Sequence, residues 1–226
     1  MDKFKEIAAN AGVEQLESGM VVGLGSGTTS ELALAAIGRR VKEGLRIIGI
    51  PTSERIANLA RGLDIPLSTL AEHPQVDVTI DGADEVQTGT LHLIKGGGGN
   101  LLREKIVAVS SARLIIVADE SKVVRQLGTH WAVPVEVVPF GWQTTANRLR
   151  ETGADPVMKV TADGKTYLTD GGHYILNCAY GPIPDPMALQ ARLDTTVGVV
   201  EHGLFLGMAF EAVIGGPEGV RRIYRE

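Results

Sequence analysis

The residues with the clearest chemical potential are charged side chains on either side of a glycine run. Lys95 precedes four consecutive glycines, Gly96 to Gly99, and Glu104 follows them on a predicted helix. A lysine placed there can stabilise a developing oxyanion, and glycine backbone lets a ligand lie directly on the chain. Apolar residues flank Glu104 on its helix face, so partial desolvation would raise its pKa and make it a better base at neutral pH. Alternatively, Glu104 is solvated or paired with Arg103 or Lys105.

Two acidic residues, Asp81 and Asp84, stand on either side of Gly82 and Ala83 at the end of a predicted strand. The small residues between them would let both carboxylates face one cavity, where they could hold hydroxyl groups, bind a metal or shuttle protons. The alternative is an Asp-Gly turn with solvated acids. Because no histidine accompanies the pair within this segment, the sequence gives little support for a metal, and we expect none.

A third segment, Gly25 to Ser30, links a predicted strand to a helix and is rich in glycine and hydroxyl side chains. Free N–H groups and the helix dipole make such a loop attractive to phosphate, although a tight turn with ordinary capping is equally consistent. Thr28 and Glu31 fit a capping box. The loop lacks the lysine of a P-loop and the third small residue of a dinucleotide fingerprint. Lys122 follows a further strand and by itself indicates little.

The elements that must position these residues alternate between strand and helix up to about Gly128. Short apolar strands separated by helices predict parallel βαβ units, in which ligands bind at the carboxyl ends of the strands. The candidate residues follow predicted strands. The predicted strands are 20–24, 45–50, 76–80, 91–94 and 114–118, and the predicted helices are 31–41, 53–61 and 100–111.

The pattern changes beyond residue 128. A strand, a helix, a hairpin around Asp163-Gly164, a strand, a helix and a final strand follow, which is typical of a ferredoxin-like α+β unit. Residues 203–222 are predicted to form a strand, a turn and a short helix that rejoins the first unit. The prediction is an α/β chain: a Rossmann-like, mostly parallel sheet flanked by helices in residues 1–128 plus 203–226, and a smaller ferredoxin-like domain in 129–202.

Composition excludes several classes of protein. The chain has 226 residues with 44% hydrophobic and 22% charged residues, so it can form a globular core. A net charge of -5 argues against a broad nucleic-acid surface. The single cysteine, Cys178, excludes an intrachain disulfide. No apolar run is long enough for a membrane helix or a signal peptide, so we expect a cytoplasmic protein that binds neither membrane nor nucleic acid.

Five motifs occur together in a distinctive order: GSGTTS, TIDGADEV, LIKGGGGNLLREKIVA, VADESKVV and PVEVVPFGW. Together they resemble ribose-5-phosphate isomerase of the A type, from about Met20 to the C-terminus. The resemblance implies an aldose-ketose isomerase that interconverts ribose 5-phosphate and ribulose 5-phosphate through an enediol(ate) in the non-oxidative pentose phosphate pathway. It implies no cofactor and no metal, and it implies a homodimer or homotetramer.

The resemblance also implies roles for residues at matching positions. Glu104 would be the catalytic base, Asp81 and Asp84 would bind hydroxyls and assist ring opening, and Lys95 would stabilise the oxyanion. Lys5 matches a lysine near the phosphate only loosely. The remaining residues implied to bind substrate are Ser26, Gly27, Thr28, Thr29, Gly82, Ala83, Gly96, Gly97, Gly98 and Lys122.

Two alternatives stay open at this point. A non-catalytic sugar-phosphate-sensing domain would bind the same ligands without needing a base at Glu104, although no helix-turn-helix segment is visible. An amino-sugar phosphate deaminase on a related scaffold would release ammonia, but the acid pair followed by the glycine run argues against it. Minor departures from the family pattern, such as Ser26 where threonine is more familiar and Asn177 where aspartate is, leave the catalytic residues unchanged.

Overall fold

A computed structural model describes residues 2–225. Met1 and Glu226, the outermost residues of the predicted larger unit, lie outside the described residues. The helices are α1 (Asp2–Val13), α2 (Thr28–Lys42), α3 (Glu54–Gly62), α4 (Leu101–Val109), α5 (Trp142–Glu151) and α6 (Pro186–Asp194). The strands are β1 (Val21–Leu24), β2 (Ile48–Pro51), β3 (Val78–Asp81), β4 (Glu85–Gln87), β5 (Leu93–Ile94), β6 (Leu114–Asp119), β7 (Val123–Val124), β8 (Val133–Val137), β9 (Asp155–Met158), β10 (Tyr174–Ala179), β11 (Val199–His202), β12 (Leu204–Phe205), β13 (Glu211–Gly216) and β14 (Gly219–Tyr224).

The central sheet has six strands in the order β14-β13-β6-β3-β1-β2. Neighbouring strands are parallel except β13 and β14. Successive residues of β6 point to opposite faces: Ile115 and Val117 join a core with α1, α2 and α3, whereas Leu114 and Ile116 join one with Ala108 of α4. All of β6 is therefore buried, as expected of a parallel strand covered on both faces.

A second, antiparallel sheet has the order β11-β8-β10-β9, and α5 and α6 lie between its strands in sequence. This is the ferredoxin-like β-α-β-β-α-β arrangement. The predicted α/β class, with a mostly parallel sheet flanked by helices, is confirmed. The residue boundaries of the two proposed domains stay a prediction. No helix within residues 2–225 is long and apolar enough to cross a membrane.

Two sequence predictions are wrong in detail. Residues 203–222 contain no short helix, because β13 and β14 form an antiparallel hairpin whose turn runs from Gly216 to Gly219. Gly219 has φ of 104°, a value that suits glycine in a tight turn. The predicted hairpin around Asp163-Gly164 is shorter than expected, with a single bridge between Val160 and Thr166, because β9 pairs with β10 instead.

A third sheet, of order β12-β5-β4-β7, was not predicted as a unit. Its strands are short, and they connect the strand ends that carry Asp84 and Lys95. Strand β5 falls within the predicted strand 91–94, but strands of two or three residues have too little periodicity for their pairing into a sheet to be predicted from sequence alone. Their function in the fold is to bring the segment after β3 and the glycine loop after β5 to the same edge of the central sheet.

Candidate active site

The predicted site residues come together at the carboxyl edge of the central sheet, around a cleft of about 250 Å³. Strands β1, β3 and β6 end there, and the glycine loop after β5 forms another wall. All of the predicted site residues except Asp81 line this cleft: Ser26, Gly27, Thr28, Thr29, Gly82, Ala83, Asp84, Lys95, Gly96, Gly97, Gly98, Glu104 and Lys122. Lys5 also lines the cleft.

The electrostatic centre of the cleft is Lys95. Its Nζ lies 2.8 Å from Asp81 Oδ2 and 3.1 Å from Glu104 Oε2, and it donates to Gly82 O at 2.7 Å. Only 2% of Lys95 is exposed. Burial alone would lower the pKa of this ammonium, but attraction from Asp81 and Glu104 outweighs it and raises the pKa. The ammonium form of Lys95 is therefore favoured inside the cleft wall at neutral pH.

Asp81 does not face the cleft, contrary to the prediction that both acids would share one cavity. Its Oδ1 accepts from Ser26 N at 3.1 Å, Ser30 Oγ at 3.0 Å and Gly82 N at 2.7 Å, while its Oδ2 holds Lys95. Asp81 is 1% exposed. The last residue of a strand can turn its side chain towards either neighbouring loop, and here the donors come from the β1 loop, the first turn of α2 and the following residue, Gly82. The carboxylate therefore orients Lys95 from behind the wall.

Glu104 is buried on α4 and points into the same space. Its Oε2 lies 3.1 Å from Lys95 Nζ as an ion pair, but within residues 2–225 this oxygen accepts no hydrogen bond. Burial raises the pKa of Glu104 to about 8, with Asp81 adding to the effect and Lys95 opposing it. A buried carboxyl oxygen without a hydrogen-bond donor is costly to a fold and needs an explanation in chemistry.

Asp84 and the glycine loop after β5 are joined by a hydrogen bond and by close packing. Gly97 donates its N–H to Asp84 Oδ2 at 2.7 Å, and the nearest atoms to a side chain built on Gly97 would be those of the Asp84 carboxylate, at 2.6 Å. Only glycine permits this approach. Burial raises the pKa of Asp84, while the Gly97 N–H and the charge of Lys95 oppose the rise. Asp84 is only partly buried, and it is the carboxylate of the predicted pair that faces the cleft.

Helix α2 begins at the cleft, and its first backbone N–H groups have no intrahelical acceptor. Gly27 is the N-cap residue, and no side chain caps the helix. The predicted capping box of Thr28 and Glu31 is therefore wrong. Glu31 binds Arg55 instead, through two contacts of 2.8 and 3.0 Å. An uncapped helix N-terminus next to a cleft can bind an anion such as phosphate.

Trp131 is a cleft residue that the sequence did not identify. Its ring lies 4.5 Å from Lys122 Nζ, a cation-π contact that holds the lysine at the cleft wall. Trp131 comes just before β8, far along the chain from the other site residues, and its neighbours show no pattern that predicts chemistry. Trp131 is 40% exposed, which is unusual for tryptophan. This exposure beside the cleft identifies the residue, and it can be seen only in the folded structure.

Among residues 2–225, three possible metal ligands lie close together at Asp194, Glu201 and His202. These groups already have partners, because Lys105 Nζ is 2.6 Å from Glu201 Oε1 and His202 Nε2 is 2.9 Å from Asp194 Oδ1. The cluster is not part of the cleft. Burial raises the pKa of the Cys178 thiol to about 12, so this cysteine is not an available thiolate.

The sequence matches the family model of ribose 5-phosphate isomerase A (phosphoriboisomerase A) over residues 48–219. A ribose-5-phosphate isomerase A from Synechococcus sp. (strain JA-3-3Ab) is 56% identical over 223 residues, which is 98% of this chain and 97% of that protein. The structure of ribose 5-phosphate isomerase from Plasmodium falciparum is similar with a TM-score of 0.95 and 38% identity over 100% of both chains.

A D-ribose-5-phosphate isomerase solved in complex with phospho-erythronic acid is similar with a TM-score of 0.94 and 34% identity, over 99% of this chain and 98% of that chain. These matches confirm the resemblance first seen in the motifs, and they do not favour the alternative of a non-catalytic sensing domain. The match with the family model and the high identity over nearly the full length lead to one conclusion: the chain belongs to the ribose 5-phosphate isomerase A family.

Proposed function

We propose that this chain interconverts D-ribose 5-phosphate and D-ribulose 5-phosphate, with Glu104 moving the proton. The observation that carries the proposal is the buried Glu104 Oε2, which lacks a donor within the described chain and lies 3.1 Å from the Lys95 ammonium. Family membership supports the same reaction. The test is formation of ribulose 5-phosphate from ribose 5-phosphate by the purified chain, and no turnover would contradict the proposal.

The reaction moves one proton between adjacent carbons. Glu104 removes the proton from C2 of the open-chain aldose, the C2–H electron pair forms the C1=C2 bond, and the carbonyl pair moves to O1. Transfer of the O2 proton to O1, formation of the C2=O2 bond and return of the Glu104 proton to C1 then give the ketose. One base that reaches both carbons is sufficient, and a pKa near neutrality allows it both to accept and to return the proton.

Lys95 is the electrophile in this proposal. In the free enzyme its Nζ lies 2.8 Å from Asp81 Oδ2, donates to Gly82 O and lies 3.1 Å from Glu104 Oε2 without a hydrogen bond to that oxygen. When Glu104 takes up a proton it loses its charge and its attraction for Lys95. The Lys95 N–H that is not directed at Asp81 or Gly82 can then donate to the oxyanion that forms at the same moment, so stabilisation increases as charge develops.

The two aspartates have different roles in this proposal. Asp81 is a positioning residue, because its buried carboxylate fixes Lys95 and the start of the β1 loop. Asp84 faces the cleft, and the raised pKa from its burial suits a group that binds sugar hydroxyls and passes a proton during opening of the furanose ring. The predicted role of Asp84 is thus retained, while that of Asp81 is changed from contact with sugar to support of Lys95.

Phosphate binds, in this proposal, at the N-terminus of α2, where the N–H groups of Thr28, Thr29 and Ser30 have no intrahelical acceptor. Lys122 and Lys5 also line the cleft and add positive charge to a chain whose net charge is -5. This local charge is what an anionic substrate requires. Side chains of Ser26 and Ser30 are occupied within the protein, so their backbone contributes more than their hydroxyls.

The pH dependence of activity follows from Glu104. Its pKa is raised to about 8, and only the ionised form can accept a proton. We expect kcat/KM to rise with pH and to level off above about 8, with the acid limb set by this group. The substrate phosphate loses its second proton around pH 6. A pH-rate profile measured above about pH 6.5 therefore reports mainly the ionisation of Glu104. A profile that is already flat from about pH 6.5 upwards would contradict this prediction, because the acid limb would then lie in the ordinary range of exposed carboxyls.

Activity is expected without any metal. The cleft presents a lysine beside its carboxylates, and the lysine already supplies the positive charge a metal would bring. We therefore expect the same kcat and KM after dialysis against excess EDTA as before. A loss of turnover that returns on addition of a divalent cation would contradict this prediction and favour the metal-binding interpretation of the two aspartates.

Further features remain proposals. The two units of residues 1–128 plus 203–226 and 129–202 are consistent with the separate central and ferredoxin-like sheets. A homodimer or homotetramer, a cytoplasmic location and the lack of nucleic-acid or membrane partners stay predictions. Exposed apolar side chains such as Phe140, at 94% exposure, favour a subunit contact, which sedimentation of the purified chain would test.

A further inference from the structure

The segment between β9 and β10 lies against the glycine loop of the cleft. Lys159 Nζ donates to Gly97 O at 2.7 Å, across a large separation in sequence. The same ammonium is 5.3 Å from the centre of the Tyr167 ring. Tyr167 in turn lies beside Gly99, where a side chain on the glycine would collide with the ring. A lysine and a tyrosine of the ferredoxin-like unit thus cover the outer side of the loop.

The Gly97 peptide groups are held from two directions. Its N–H donates to Asp84 Oδ2 at 2.7 Å, and its carbonyl oxygen accepts from Lys159. Gly98, the next residue, lines the cleft, and its N–H has no acceptor among the described residues. A cation on the Gly97 carbonyl polarises the Gly97–Gly98 peptide and makes the Gly98 N–H a stronger donor. That N–H is available to an oxygen of a bound ligand.

The covering segment is itself anchored. Asp170 Oδ2 accepts from the backbone N–H of Glu54 at 2.8 Å and lies 3.3 Å from Arg103 Nη1. Arg103 directly precedes Glu104 on α4. The contacts tie the segment to both α3 and α4, so Lys159 is presented to the loop by a fixed support. A backbone donor that is already fixed in place needs no rearrangement when negative charge develops on the ligand.

We propose that Lys159 is a positioning residue for the isomerisation, acting through the Gly97–Gly98 peptide to orient and strengthen a backbone donor to the enediolate. The role rests on the proposed function, because it supposes that negative charge develops over the glycine loop. The ferredoxin-like unit thereby completes the catalytic cleft rather than merely stabilising the fold. Tyr167 supports the lysine through the cation-π contact.

The test compares Lys159→Met, which keeps the aliphatic stem, with Lys159→Arg, which keeps a charged donor. Lys165→Met is the matched control, because Lys165 lies in the same segment with its side chain 81% exposed, and its ion-pair partner among residues 2–225 is Asp163. We expect Lys159→Met to lower kcat by about tenfold with KM changed less than about twofold. Lys159→Arg should recover most of that loss, and Lys165→Met should match the wild type.

Binding of two probes separates a positioned donor from general damage. Phospho-erythronic acid carries a carboxylate that resembles the enediolate, whereas inorganic phosphate occupies only the anion site. We expect Lys159→Met to weaken phospho-erythronic acid by about tenfold and to leave inorganic phosphate within about twofold. Lys159→Ala provides a second truncation, for which we expect the same ratio between the affinity losses for the two probes. Thermal unfolding verifies that each variant is folded.

Unchanged kcat in a folded Lys159→Met variant would overturn the proposal. So would an equal loss of affinity for both probes, which would indicate a distorted cleft. Wild-type activity in the same assay separates this idea from the proposed function. An inactive wild type overturns both, whereas an active wild type with unaffected Lys159 variants overturns only the role of Lys159.

Discussion

Glu104→Gln should lower kcat by about 10²–10⁴-fold, the usual contribution of a positioned general base. Glutamine has the size of the neutral acid but cannot accept a proton from C2. Because burial raises the pKa of Glu104 to about 8, its site accommodates the neutral carboxyl more readily than an exposed site would. The substitution should therefore change the midpoint of thermal unfolding by only a few degrees, roughly the effect of 1 kcal/mol or less.

Ligand binding distinguishes a lost base from a damaged site. The affinity of Glu104→Gln for phospho-erythronic acid should remain within about tenfold of the wild-type value, because the phosphate and oxyanion contacts are intact. Glu151→Gln, at an exposed position on α5, is the control and should retain full turnover. Near-wild-type turnover of Glu104→Gln would remove Glu104 from its proposed role, and the isomerase mechanism would need another base.

Lys95→Met should have the second large effect, on both turnover and stability. Loss of a preorganised oxyanion donor typically costs about 10²–10³-fold in kcat. The variant also leaves Asp81, which is 1% exposed, without its cation. Removing one member of a buried ion pair typically costs about 3–5 kcal/mol. We therefore expect a clear fall in the free energy of unfolding, measured by denaturant titration, together with the loss of activity.

A double variant separates the two effects of Lys95→Met. Asp81→Asn combined with Lys95→Met removes both charges, so it should recover about half or more of the lost stability while activity stays low. Recovery of activity in the double variant would show that Lys95 acts only by neutralising Asp81. Full stability of the single Lys95→Met variant would contradict the geometry of the pair, since Asp81 Oδ2 and Lys95 Nζ are 2.8 Å apart.

The sequence was sufficient to predict the α/β class and the edge of the sheet that carries the chemistry. Strand periodicity and turn residues depend on near neighbours in the chain, so they can be identified locally. The carboxyl ends of parallel strands meet at one edge by the geometry of βαβ connections. For that reason Asp84, Lys95, Glu104 and the α2 N-terminus could be assigned to one cleft before their coordinates were known.

The tertiary structure decided which way individual side chains face and what they contact. Asp81 is turned behind the cleft wall by three donors, and Glu31 binds Arg55 instead of capping its own helix. No local rule fixes such choices, because each depends on partners that are distant in sequence.

The contacts that cover the glycine loop depend most strongly on the tertiary structure. Lys159 and Tyr167 contact Gly97 and Gly99 only because a second folded unit lies against the first. Spacing in sequence determines which residues share an element, whereas packing between elements determines which atoms meet.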